Sequence, residues 1–337
     1  MIDNRYSKQI LFNNIGPEGQ KRISASTVIV VGIGALGTVI SSQLCRAGVG
    51  RLILVDRDFV EITNLQRQIL FTENDARLKL PKAIAAAESL RAVNSEIIIE
   101  PIIADVTSRN IEKLVNESDL ILDGNDNFEI RFLINDAALK LNKPWIYGGA
   151  LGSYGMSMNI IPGQTACLRC LMPKSPPPGN LPTCDTDGVI SPATGIVASI
   201  QTAEALKILT GNHPRKSLIH FDLWDGKFNE FTVHRRDGCL ACEKGVYEYL
   251  NTSNISWATV LCGRNSVQIV PPEEIQVSLT DLKGRLERIG SARYNGFMLV
   301  FEAEGYEMTI FPTGRAIIRG TTDESAARAI YSRYVGL

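Results

Sequence analysis

Residues 28–37 read VIVVGIGALG. A run of mostly β-branched residues leads straight into Gly32-x-Gly34-x-x-Gly37. This is the pattern of a buried strand that turns sharply into a helix, and it commits the chain to an α/β design. Each glycine has its own task. The first makes the tight turn, the second lets the backbone close on a phosphate, and the third packs helix against strand. The helix N-terminus adds partial positive charge. Asp56 ends the next apolar segment, RLILVD, 19 positions beyond Gly37, where a carboxylate can accept from ribose hydroxyls. The motif points to a bound nucleotide. It does not separate NAD from ATP, and alone it leans toward NAD.

The rest of the first 150 residues repeats the theme. Residues 5–26 read as a helical arm with apolar Ile10, Leu11, Phe12 and Ile15. Strands are expected at 27–32, 51–56, 96–104 and 118–127, and helices at 35–47, 81–94 and 129–141, with PWIYGGA (144–150) next in line. Short apolar strands alternating with helices give a doubly wound, Rossmann-like, mostly parallel sheet. Residues 173–188, PKSPPPGNLPTCDTDG, read as a long mobile loop, and 191–211 as a helix with a glycine stop. A linker near 250–258 divides a domain of residues 1–250 from a small α+β domain of 259–337. There a helix (278–289), a three-strand meander (294–319, turns at Gly305 and Gly314) and a final helix (323–334) are expected. That order faintly resembles half of a TATA-binding-protein-like fold, an echo of architecture that says nothing about DNA.

Composition excludes several classes. With 35 Lys and Arg against 36 Asp and Glu, the net charge of −1 supplies no field for nucleic acid or an anionic membrane. No apolar run is long enough for a membrane helix, and the N-terminus shows no signal-peptide pattern, so a cytoplasmic protein is expected.

Beyond the glycine loop, the sequence supplies ligands suited to a triphosphate. DRDFVEITNLQRQILF (56–71) places Asn64, Arg67 and Gln68 just after the ribose acid. RLKLPKA supplies Lys82 at a helix start, with Lys79 nearby. Cationic side chains suit a polyphosphate whose charge grows at a leaving pyrophosphate. LDGNDN places Asp123 and Asp126 at the carboxyl end of a strand, where a carboxylate can hold Mg²⁺ on phosphate oxygens. Taken together, the cluster favours ATP over NAD.

In order, RYSKQ, GIGALG, DRD, NLQRQ, LPKA, DGNDN and two C-x-x-C pairs flanking a Pro-rich, Cys-bearing loop resemble the ThiF/MoeB/HesA family, bacterial relatives of ubiquitin-activating enzymes. The resemblance covers about residues 3–250. It implies ATP-dependent adenylation of the C-terminal glycine of a ubiquitin-like sulfur carrier of the ThiS or MoaD type, ending in Gly-Gly. It further implies a homodimer and a cysteine desulfurase or rhodanese as sulfur donor. By motif match Asp56 holds ribose, Asn64, Arg67 and Lys82 hold phosphates and developing charge, and Asp126 binds Mg²⁺. The family motif R-Y-x-R-Q carries an arginine expected to reach the partner subunit's site. Here that position is Lys8, which keeps the charge without the planar fork, and Arg5 is the other candidate for the task. Three alternatives stay open: adenylation of a peptide C-terminus as in microcin biosynthesis, an NAD-dependent oxidoreductase, and a non-catalytic nucleotide-binding scaffold.

Four of the seven cysteines form the pairs Cys167-x-x-Cys170 and Cys239-x-x-Cys242, a four-thiolate set of the structural zinc type. Such a metal would staple the strand region near residue 160 to the segment leaving the first domain. Cys184, in the Pro-rich loop, is the candidate for transfer chemistry, since the resemblance places a thioester- or persulfide-forming cysteine there. Its neighbours Asp185 and Asp187 would raise rather than lower a thiol pKa. Cys45 reads as core and Cys262 as structural, and His213, His220 and His234 as non-catalytic. The tail domain is read as a partner-docking module or a passive appendage.

Overall fold

The computed structural model describes residues 5–175, 187–251, 258–261, 265–271 and 276–335. Two compact units divide the chain, Met1–Asn251 and Thr252–Leu337.

The first unit is built on an eight-stranded sheet. Its strands are β1 (Thr27–Val31), β2 (Arg51–Asp56), β3 (Ile98–Ile103), β4 (Leu120–Asp123), β5 (Trp145–Leu151), β6 (Tyr154–Ile160), β7 (Leu218–Asp222) and β8 (Lys227–Phe231), in the spatial order β3-β2-β1-β4-β5-β6-β7-β8. The first five run parallel and the last three add antiparallel. The central strands are apolar without alternation because both faces are covered. Val28, Val30, Leu52, Leu54, Leu120 and Leu122 pack into one core with the helices Ala35–Ala47, Lys82–Val93 and Ser191–Thr210. Ile29, Val31, Ile53, Val55 and Ile121 pack into the opposite core with the helix Phe128–Lys140. Cys45 lies buried in the first core, its thiol pushed up to about 11 by burial.

The chain order reverses between β1 and β4, which are neighbours in register from Val28↔Leu120 to Val31↔Asp123. A crevice opens at such a switch point, outside the carboxyl ends of the strands. The glycine loop after β1 and the DGNDN loop after β4 both end there.

The arm folds as two helices, Ser7–Ile10 and Gly16–Ala25. Tyr6 and Gln9 tie it down. The Tyr6 hydroxyl accepts from Asn94 Nδ2 at 2.9 Å, and Gln9 Nε2 donates to the Ala47 carbonyl at 3.0 Å. Pro81 proves to be the cap before the helix Lys82–Val93 rather than its first residue. Beyond β6, two strands that the sequence did not announce, β7 and β8, extend the sheet. In β8, KFNEF, every residue is exposed, so no apolar run marks it.

The second unit holds the expected three-strand meander, over residues 299–319, and three further strands widen it into a six-stranded antiparallel sheet. Its strands are β9 (Ala258–Leu261), β10 (Ser266–Ile269), β11 (Ser291–Tyr294), β12 (Leu299–Ala303), β13 (Tyr306–Ile310) and β14 (Ala316–Arg319), in the order β11-β12-β13-β14-β10-β9. The turns at Gly305 and Gly314 have positive φ, +82° and +76°. The helices Leu279–Leu286 and Glu324–Tyr334 contribute Leu282, Leu286 and Tyr331 to a core with Phe301, Ile310 and Ile318. No described helix is long and apolar enough to cross a membrane.

Candidate nucleotide and metal sites

Two close backbone approaches shape the crevice. Gly32 has φ +90°, which favours glycine, and a side chain there would sit 2.8 Å from Gly124 of the β4 loop. A Cβ on Gly37 would lie 1.9 Å from the Gly32 carbonyl oxygen, so the helix can meet the turn only without one. Gly34 is different: a Cβ there would have its nearest neighbours at 3.8 and 3.9 Å, on Gly124 and Gln68. Gly34 is the residue that leaves open approach at the N-terminus of the helix Ala35–Ala47.

Asp56 closes this loop from β2. Its two carboxylate oxygens accept the amides of Ile33 at 2.6 Å and Asp58 at 2.7 Å. Burial pushes its carboxyl up, and the Lys82 charge pulls against that push. Lys82 is itself buried, 5 % exposed, with Nζ 3.5 Å from Asp58 Oδ2 and its amide on the Asp58 carbonyl at 2.9 Å. The Lys82 charge is thereby delivered to the crevice from a fixed point.

The remaining sequence candidates fall into two groups. Gln68 lies buried beside Gly34, and its Oε1 has no hydrogen-bond partner among the described residues. Arg67 is half-buried and donates to the Thr63 carbonyl at 3.0 Å. Asn64 is buried, and its Oδ1 is engaged by the Glu61 amide at 2.9 Å, in the cap of its own short turn. Asp123 and Asp126 part company. Asp123 is fully buried and ion-paired to Arg131 Nε at 2.9 Å, so this acid belongs to the framework. Asp126 is exposed, and its carboxylate has no hydrogen bond or ion pair among the described residues.

Sequence reasoning missed Arg131 and Asn125. Asn125 Nδ2 donates to the Val31 carbonyl at 2.7 Å and so zips the β4 loop to the end of β1. Burial works against the Arg131 charge, but Asp123, together with Tyr147 and Asp126, outweighs it, and the guanidinium holds its proton more tightly than usual. The only signal in the sequence was an arginine eight positions after an acid that ends a strand.

The sequence pattern of the ThiF family matches residues 6–241. The chain belongs to the ThiF family. It is 42% identical over 335 residues, 98% of this chain and 99% of the other, to the sulfur carrier protein ThiS adenylyltransferase of Bacillus subtilis. It is 38% identical to the sulfur carrier protein adenylyltransferase of Thermus thermophilus, over 71% of this chain and 90% of the relative. Among solved structures, Escherichia coli MccB superposes with a TM-score of 0.63 at 23% identity, covering 72% of this chain and 73% of that one, which shows a shared fold.

In this ThiF-family chain the four cysteines of the two C-x-x-C pairs converge. Cys167 Sγ lies 3.8 Å from Cys170 Sγ and 3.7 Å from Cys239 Sγ, and Cys170 and Cys242 are 3.4 Å apart. All four sulfurs fall within 4.8 Å of one another. A tetrahedron with Zn–S bonds of about 2.3 Å has sulfur edges of about 3.8 Å, so the donor set fits zinc. The Arg236 amide donates to Cys170 Sγ at 3.4 Å, and the Leu168 amide to Asn135 Oδ1 at 2.9 Å, which fixes the first knuckle to the helix Phe128–Lys140.

The ThiF-family arm motif splits by role. Tyr6 and Gln9 anchor. Arg5 donates to the Val93 carbonyl at 3.1 Å and faces Glu96 at 3.7 Å. Lys8 is exposed on the helix Ser7–Ile10. Cys184 and Cys262 lie outside the described residues.

Proposed function

We propose that the chain adenylates the C-terminal glycine of a small ubiquitin-like sulfur-carrier protein with ATP and releases pyrophosphate. The observation that carries the reading is the match, over nearly the whole of both chains, to a ThiS adenylyltransferase. The crevice at the ends of β1 and β4, with its ordered glycine loop, buried Lys82 and free Asp126 carboxylate, supplies what that chemistry needs.

The carrier's carboxylate is ionised at neutral pH and needs no base. One of its oxygens attacks the α-phosphorus, a new P–O bond forms to the acyl group, and the bond to the β-phosphate oxygen breaks. Catalysis is then positioning and charge neutralisation. Asp56 faces the ribose hydroxyls. Gly34 and the helix behind it admit the phosphates, with Asn64 and Gln68 lining their path. Arg67 and Lys82 balance the negative charge that grows on pyrophosphate. Asp126 would hold Mg²⁺, which screens phosphate charge when bound. Lys8 of a second copy in a homodimer would add a cation from outside. The four-cysteine cluster would hold zinc as a structural clamp, with every position filled by protein. Cys184 would take the activated carrier onward toward sulfur delivery from a desulfurase or rhodanese. Residues 1–250 form the adenylation domain in this reading, and 259–337 a docking module. Cysteines gathered as metal ligands rather than disulfides fit a reducing cytoplasm.

The test is ATP–pyrophosphate exchange with a panel of carriers ending in Gly-Gly, alongside short peptides. Exchange that needs a folded carrier supports the reading. Exchange with peptides alone would move the activity to peptide adenylation, and spectral change with NADH and no exchange would replace it with redox chemistry.

A further inference from the structure

Asp126 does not hold its own place. The residues on either side of it are tied down, and one side chain does most of the tying. Arg131 sits one turn into the helix Phe128–Lys140 and is 5 % exposed. Its side chain runs back toward the helix start, as helical side chains do. Nε donates to Asp123 Oδ2 at 2.9 Å. Nη2 donates to the Asn125 carbonyl at 2.5 Å and to the Gly148 carbonyl at 2.8 Å. The rings of Phe128 and Tyr147 each lie 5.1 Å from Cζ and set the plane of the guanidinium.

One planar group therefore joins the end of β4, the loop that follows it and β5. The other handholds are weaker in reach. The Gly124 amide and Asn125 Nδ2 both donate to the Val31 carbonyl, and Asn127 caps the helix by accepting from the Glu129 amide at 2.7 Å. Between Asn125 and Asn127, only Asp126 presents a free carboxylate.

A buried ion pair is a poor way to gain stability, because desolvation offsets the attraction. It is a good way to hold a loop, because a guanidinium fixes several acceptors in set directions. The charges of Asp123 and Arg131 cancel, so the loop's uncompensated negative charge is that of Asp126. We propose that Arg131 is the positioning residue that sets the Asp126 carboxylate for the divalent cation of the bound triphosphate. The proposal rests on the adenylation reading for the identity of that cation.

Arg131→Lys keeps a charge opposite Asp123 and loses the fork. The double variant Asp123→Asn with Arg131→Gln keeps the shape of the pair and leaves no buried charge unpaired. Two quantities are measured on full-length protein: Mn²⁺ affinity with a non-hydrolysable ATP analogue, by electron paramagnetic resonance, and the Mg²⁺ concentration for half-maximal carrier-dependent exchange. The expected result is a tenfold or greater weakening of both. Zinc content and affinity for metal-free ATP should stay within twofold of the parent. A folded variant with the parent's metal requirement overturns the proposal. Failure of both variants to fold also overturns it, since Arg131 would then be framework alone. If the parent protein shows no exchange with any carrier, the adenylation reading falls, while the Mn²⁺ measurement still decides the role of Arg131.

Discussion

The amide of Ile33 donates to Asp56 Oδ2 at 2.6 Å, so the acid that ends β2 is bound to the glycine loop that follows β1. The other oxygen takes the Asp58 amide, and the carboxylate is thus the shared acceptor of two strand ends. Asp56→Asn can serve one amide as acceptor but turns its own NH₂ against the other. ATP affinity is expected to fall about tenfold, or about 1.4 kcal/mol, by isothermal titration. Undiminished affinity would take Asp56 out of the nucleotide site.

The glycine loop separates packing from binding. In Gly37→Ala the new methyl would lie 1.9 Å from the Gly32 carbonyl oxygen, so helix and strand must move apart. The cost should be about 3 kcal/mol or more in urea denaturation. Gly34→Ala meets nothing closer than 3.8 Å and should unfold within about 1 kcal/mol of the parent. Its methyl faces the phosphate approach, so ATP binding should nonetheless weaken. Equal stability of the two variants would contradict this division.

Much of the fold was legible because the central strands are buried on both faces. VIVV, RLILV and LILD each sit between two cores, and nothing polar interrupts them. β8 left no such trace, because a fully exposed edge strand has no apolar face to display. β11 escaped for a related reason: it is a four-residue edge strand, SARY, with no buried residue. At the site, residue type located the crevice but not the choice of partners. Asp123 and Asp126 look alike in LDGNDN. Only the folded helix, by returning Arg131 to Asp123, shows which acid is framework and which is free. Asn64 likewise spends its amide oxygen on its own turn, a local competition that asparagine often enters.

The cysteine cluster predicts about one zinc per chain in purified protein. Cys239 is buried, and its sulfur touches Cys167 across the two knuckles. Cys239→Ser should lose most of the metal and lower the thermal midpoint by about 10 °C or more, since metal binding contributes directly to folding. Plasma emission spectrometry and calorimetry read both quantities. A full complement of zinc in the variant would refute the four-thiolate site.

Arg5 is occupied on its own chain by Glu96 and the Val93 carbonyl, which leaves Lys8 as the other exposed cation of the RYSKQ stretch. Lys8→Ala should slow pyrophosphate exchange about tenfold with no change in thermal midpoint. If the lysine serves the neighbouring subunit, mixing Lys8→Ala with Asp126→Ala protein should restore part of the activity. Each mixed dimer then contains one site with both residues intact. No recovery on mixing, with dimers confirmed, would place Lys8 outside the neighbouring site.

Asp136 gives the protein a pH signature of its own. It is fully buried, accepts from the Tyr249 amide at 3.1 Å, and burial pushes its carboxyl up to about 6. The unfolded chain releases this proton near the ordinary aspartate value of about 4. Between about pH 4 and pH 6 the folded state therefore binds more protons than the unfolded state, and stability falls as pH rises through that window. Below it both states are protonated. Above it both are ionised, and the folded state carries a constant cost on the order of 3 kcal/mol. Asp136→Asn keeps the size and an acceptor for the Tyr249 amide but has no charge to bury. It should match the parent near pH 4 and exceed it in stability at pH 7, with the gap opening between. Urea denaturation of both proteins at each pH measures that gap directly, and a difference that stays flat from pH 4 to pH 7 would show that the Asp136 carboxyl titrates alike in both states.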